Sequence, residues 1–72
     1  MKDSFYQFVL RYRDSLRADA KQLFAERVFD THDFPKSSID FHELSRYIEM
    51  QADSEMPASV FDELWEEYQA RR

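Results

Sequence analysis

Seventy-two residues with 43% apolar side chains, 17% aromatics and a net charge of −5 describe one small domain, residues 1–72, too apolar for a disordered tail. There is no cysteine, which excludes disulfides and thiolate metal sites. There is no glycine either, which excludes phosphate-cradling loops, dinucleotide fingerprints and the nucleophile elbow of hydrolases.

The hydrophobic period predicts four helices. In the first, Phe5, Phe8, Val9 and Tyr12 fall on one face, and Ser4-Phe5-Tyr6-Gln7 has the form of a capping box; the helix is expected to end near Arg13. The second is expected from Leu16 or Ala18 to Phe29, with Ala20, Leu23, Phe24 and Val28 inward. Asp14 or Ser15 would cap it, or Asp19 would sit in its first turn, where the helix dipole favours a carboxylate. Phe34, ahead of Pro35, leaves the α region and is placed to plug the core from a loop. The third helix starts near Asp40, where Asp40-Phe41-His42-Glu43 reads as a second capping box, and ends around Met50. Its stripe is Phe41, Leu44, Tyr47 and Ile48. After a polar stretch the fourth is expected to open at Ser59, with Phe61, Leu64, Trp65 and Tyr68 inward and with Phe61 and Trp65 as core anchors. The fold class is therefore all-α, a compact four-helix bundle. A β-rich chain without glycine or asparagine would have few ways to turn.

Charge is uneven. Residues 1–27 carry +2 and residues 28–72 carry −7, for a pI of about 4.8. A dedicated nucleic-acid binder usually has a basic domain pI. No stretch approaches the roughly 20 apolar residues of a membrane span. Residues 5–10 are too short and too polar for a signal-peptide core, so the expected address is the cytoplasm, away from the membrane.

The run Phe34-Pro35-Lys36-Ser37-Ser38-Ile39-Asp40-Phe41-His42-Glu43-Leu44-Ser45-Arg46-Tyr47-Ile48-Glu49 resembles the signature of the YozE-like family of small proteins from Gram-positive bacteria. So do Ser4-Phe5-Tyr6-Gln7-Phe8, Ala52-Asp53, and Val60-Phe61-Asp62-Glu63-Leu64-Trp65-Glu66-Glu67-Tyr68, so that the likeness covers nearly the whole chain. The resemblance implies a four-helix fold similar to sterile-alpha-motif domains. It implies no catalytic residue.

Four groups of residues carry candidate chemistry. Asp30, His32, Asp33, Asp40 and His42 are of metal-ligating type, but their spacing matches no ligand motif, and turn and cap roles are favoured. The histidines with a carboxylate, or Ser37, Ser38 or Ser45 as nucleophile, would be the parts of an enzyme, but no nucleophile–base–orienter set can be assembled from them. The expectation is no enzyme and no cofactor. Arg13, Arg17 and Lys21, each four apart, with Lys36 added, are the candidate nucleic-acid contacts; they share a face only if one helix spans the first three. Asp14, Asp19 and Glu26 are interleaved with them, and the net acidity opposes a polyanion. Asp53, Glu55, Asp62, Glu63, Glu66 and Glu67 form a candidate acidic interaction face. Most aromatics are expected in the core, while Tyr6 and Tyr47 fit amphipathic surface positions. The leading expectation is a small non-enzymatic interaction module with an unknown protein partner. The alternative is a nucleic-acid-associated protein using the basic N-terminal face.

Overall fold

Each helix start is built from a local acceptor that satisfies otherwise orphaned backbone N–H groups. The computed structural model describes residues 3–14 and 19–70, and places in them α1 (Phe5–Val9), a 3₁₀ turn (Leu10–Asp14), α2 (Ala20–Asp30), α3 (Phe41–Gln51) and α4 (Ala58–Ala70). Ser4 caps α1 with both arms of the capping box in place: Gln7 N–H donates to Ser4 Oγ at 3.3 Å, and Ser4 N–H donates to Gln7 Oε1 at 3.2 Å. The helix is shorter than its period suggests. After Val9 the chain tightens to the 3₁₀ turn, and with that winding Tyr12 reaches Glu67 while Arg13 reaches Glu26.

Helix α2 starts later than expected. Asp19 is its N-cap, with extended backbone and its carboxylate accepting from Gln22 N–H at 2.9 Å, so the helix opens at Ala20. Asp14 instead ends the 3₁₀ turn, and Ser15, Leu16 and Ala18 lie outside the described residues. The inward face of α2 is also rotated from the expected one. Phe24, Ala25 and Val28 are buried, whereas Leu23 is 48% exposed. With Phe24 and Val28 stacked one turn apart on the core, the 100° step per residue turns Ala25 and Lys21 inward and Leu23 and Arg27 outward.

Asp40 caps α3, as its sequence position suggests, but through His42 N–H at 3.0 Å. The return arm expected from Glu43 is supplied by Ser38, whose hydroxyl accepts from Asp40 N–H at 3.2 Å, and Glu43 points to solvent. The helix ends at Ala52 in the left-handed region, φ 48° and ψ 38°, a conformation most residues avoid and glycine would hold without steric cost. Asp53 then folds the connection, its side chain accepting from Glu55 N–H at 2.8 Å and its carbonyl from Met56 N–H at 2.9 Å. Helix α4 opens at Ala58, one residue before the expected start, because the Pro57 carbonyl accepts from Val60 and Phe61 N–H at 3.1 Å each; Ser59 lies inside the first turn.

The core draws on every element. Phe5, Phe8 and Val9 of α1 meet Phe24 and Val28 of α2, Leu44 and Ile48 of α3, and Phe61 and Leu64 of α4. Phe5 is its centre, edge-on to Phe61 at 5.3 Å and to Tyr68 at 5.8 Å. Tyr68 also ties the two ends of the chain, its hydroxyl donating to the Asp3 carbonyl at 2.6 Å. Phe34 plugs the core from its loop, 3% exposed, between Tyr6 and Tyr47 at 5.8 and 5.2 Å. Met56 is buried too, although it sits in a stretch that reads as polar. Trp65 is a partly buried lid and not the expected anchor; it lies across Phe5, Phe41 and Tyr68 at 5.2–5.7 Å. Among the described residues, no helix is long and apolar enough to cross a membrane.

Candidate interaction surface

The four helices distribute the charges so that cations and carboxylates from distant parts of the chain meet. Lys21, turned toward α4, donates to Glu67 and lies 3.9 Å from Glu63, while the Tyr12 hydroxyl donates to the other Glu67 oxygen. Those bonds, Lys21 foremost and Tyr12 next, hold the Glu67 carboxyl below its ordinary 4.5. The same bond raises Lys21 above its ordinary 10.5. Arg13 Nε donates to Glu26 at 3.0 Å, and its guanidinium lies 3.7 Å from the centre of the exposed Phe29 ring. Arg27 Nε donates to Asp53 at 2.6 Å, joining α2 to the α3–α4 connection. The Glu55 backbone N–H first, and Arg27 second, keep Asp53 below its ordinary 3.8. Arg11 and Asp3 are 3.4 Å apart at the surface.

The basic residues singled out in sequence are thus dispersed. Arg13 and Lys21 project from different elements, each against a carboxylate of its own, and Lys36 sits on the loop before α3 with its ammonium 5.7 Å above the Tyr6 ring. Arg17 lies outside the described residues. The acidic candidates divide in two. Asp53, Glu63 and Glu67 pair with cations of α2, whereas Glu55, Asp62 and Glu66 form no ion pair among the described residues, with Asp62 and Glu66 one turn apart on the outer side of α4.

The Asp/His group is occupied with turn and cap work. Asp33 accepts from the Tyr47 hydroxyl at 2.8 Å, Asp40 caps α3, and His32 and His42 are exposed. Burial first, and the Asp33 bond next, push the Tyr47 phenol up to about 12. Among the described residues, no three histidine, aspartate or glutamate side chains are grouped to hold a metal ion.

The same segment shapes an open groove of about 530 Å³ that the sequence reading missed. Its apolar surface comes from Pro35, Tyr47 and Met50, and its polar rim from Asp33, Asp40, His42, Glu43 and Arg46. Glu43, Arg46 and Met50 follow one another at i, i+3 and i+7 on α3. Met50 is 77% exposed, a large apolar side chain left on an outer face. That spacing, with a methionine off the core stripe, was the available sequence signal for the groove.

The family model described as YozE SAM-like fold matches residues 4–70. The chain belongs to this family. The resemblance carried by residues 34–49 and the two terminal motifs is therefore correct, and so is the sterile-alpha-motif-like four-helix class it implied. Among curated relatives, the UPF0346 protein YozE of Bacillus subtilis is 40% identical over 67 residues, covering 93% of this chain and 90% of its own length. A UPF0346 protein of Staphylococcus haemolyticus is 52% identical over 65 residues (90% and 86%). One from Bacillus velezensis is 44% identical over 66 (92% and 89%). No solved structure is significantly similar to the chain.

Proposed function

We propose that this protein is a cytoplasmic, non-enzymatic interaction module whose acidic surface engages a basic protein partner. One observation carries the reading: four cations of the N-terminal half are paired with carboxylates within the fold, while other carboxylates are left over. Arg11, Arg13, Lys21 and Arg27 each lie within 4.0 Å of a carboxylate. Glu43, Glu49, Glu55, Asp62 and Glu66 are exposed, and among the described residues none of them forms an ion pair. A surface of that sign repels nucleic acid and steers basic partners, over a range that salt sets at about 8 Å under physiological conditions. The polar groups of residues 33–40 have structural work of their own: Ser38 is engaged in the α3 cap, and Asp33 and Asp40 hold a tyrosine and a helix end.

The test is affinity capture from the native cell at low and high salt, using the wild-type chain and a double variant, Asp62→Lys with Glu66→Lys, that reverses charge where no internal pair is lost. The expected result is a basic protein retained by the wild type at low salt, released at high salt, and retained more weakly by the variant, whose surface field is less acidic. Capture of nucleic acid instead would replace this reading with the nucleic-acid-associated one.

A further inference from the structure

Glu26 of α2 and Glu63 and Glu67 of α4 are committed to ion pairs, whereas the groove between α3 and the loop before it sets carboxylates without ion-pair partners among the described residues beside apolar walls. We infer that this groove receives a basic peptide segment of a partner protein, an extended stretch in which a lysine or arginine is flanked by an apolar side chain. The inference rests on the acidic-surface reading above and gives it a location and a ligand class.

Charge complementarity names the occupant. Three carboxylates, Asp33, Asp40 and Glu43, face one cation, Arg46. Asp33 and Asp40 each commit one oxygen, to the Tyr47 hydroxyl and to His42 N–H; among the described residues the second oxygen of each has no partner. Glu43 and Arg46 likewise have no ion-pair partner among the described residues. The groove therefore offers acceptors that an incoming ammonium or guanidinium can use with no internal bond broken. An anionic ligand would find a single arginine among three carboxylates.

The apolar part fits the same occupant. Lysine and arginine carry long methylene stems below their charged heads and lay those stems along apolar surface. Tyr47 supplies a fixed wall, held by its bond to Asp33 and by the edge-on Phe34 ring at 5.2 Å. Met50, open to solvent, supplies an adaptable one, since an unbranched thioether refits to whatever it covers. A wall already in place spares the ordering cost of binding. A second copy of this chain is a poorer occupant: Arg11, Arg13, Lys21 and Arg27 lie against carboxylates, Lys36 lies over a ring, and Arg46 belongs to the groove itself.

The experiment is an amide-resolved NMR titration of the intact chain with a nonapeptide alternating leucine and lysine, at about 100 mM salt, where charges are felt over about 10 Å. A peptide alternating leucine and glutamate is the control. The expected result is shifts gathered at Asp33, Glu43, Arg46 and Met50, with affinity falling about tenfold in Glu43→Lys. A fall of similar size is expected in Met50→Ser, the fold-change that matches losing most of a buried methionine contact. Both residues are exposed, and far-UV circular dichroism shows whether the variants keep the fold. Shifts gathered at Asp62 and Glu66, with Glu43→Lys binding normally, would overturn the groove and leave the acidic-surface reading standing. No binding of the lysine peptide anywhere, or equal binding of the glutamate peptide, would overturn both.

Discussion

Phe61→Ala is expected to unfold most of the stability of this domain. Phe61 is 1% exposed and touches three other rings, Phe5 at 5.3 Å, Phe41 at 5.6 Å and Trp65 at 6.2 Å. An aromatic side chain buries about 150–250 Å². At about 25 cal/mol per Å² that is about 4–6 kcal/mol, part of which alanine keeps. The cavity left among three rigid rings adds to the loss, and the expected cost is about 3–5 kcal/mol. A chain of 72 residues has a total of about 4–11 kcal/mol to lose. Urea melts followed by circular dichroism read this directly. With a slope of about 1 kcal/mol per molar, the midpoint drops by about 3–5 M or the variant is unfolded from the start. Trp65→Ala costs less, because Trp65 covers the core without entering it. Leu23→Ala stays within about 0.5 kcal/mol of the parent, being on the outer face of α2. A Phe61→Ala midpoint within 1 M of the parent, or a larger loss for Trp65→Ala than for Phe61→Ala, would refute the packing described for α4.

Three further outcomes are expected. Ala52→Gly raises stability by about 1 kcal/mol in the same urea assay, because Ala52 is held at positive φ where a Cβ is strained; no gain would mean the turn is not left-handed. Asp40→Ala costs about 1 kcal/mol, whereas Asp40→Asn, which still accepts from His42 N–H, costs only a few tenths; equal losses would contradict the cap. Glu67 has a folded pKa below its unfolded 4.5, so its contribution is present above pH 4.5 and is lost as pH falls through the folded value. Thermal melts between pH 6 and pH 2 therefore show a shallower acid loss in Glu67→Gln than in wild type, and parallel curves would contradict the Lys21–Glu67–Tyr12 network.

Those residues also mark what could be read from sequence. The four helices were legible because the aromatic stripes repeat at helical spacing and because Ser4 and Asp40 stand where caps belong. The start of α2 was not, since Asp14, Ser15 and Asp19 are all capable caps within six positions and only tertiary packing chooses among them. Leu23 reads inward on its own hydrophobicity, but Phe24 and Val28 are the larger determinants, and they turn Ala25 in instead. Met56 was hidden in a polar stretch because burial in a connection has no period. The charged residues were hardest. A spacing of four places Lys21 on a face, but its partner Glu67 is 46 positions away, and Arg27 meets Asp53 across 26. Pairing at such separations is set by how the helices cross. For the same reason Arg13 and Lys21, which read as part of one basic face in the linear chain, sit on different elements against carboxylates of their own once folded.

The pairing of Arg11, Arg13, Lys21 and Arg27 within the fold is the central claim, and binding to mixed-sequence duplex DNA and RNA tests it most directly. Non-specific binders usually show dissociation constants of about 10⁻⁴–10⁻⁶ M at physiological salt. Gel-shift titrations at that salt should show no complex through this range, with wild type and with Arg13, Arg17, Lys21 and Lys36 changed to Glu alike. Micromolar or tighter binding by the wild type, abolished by those changes, would contradict the account.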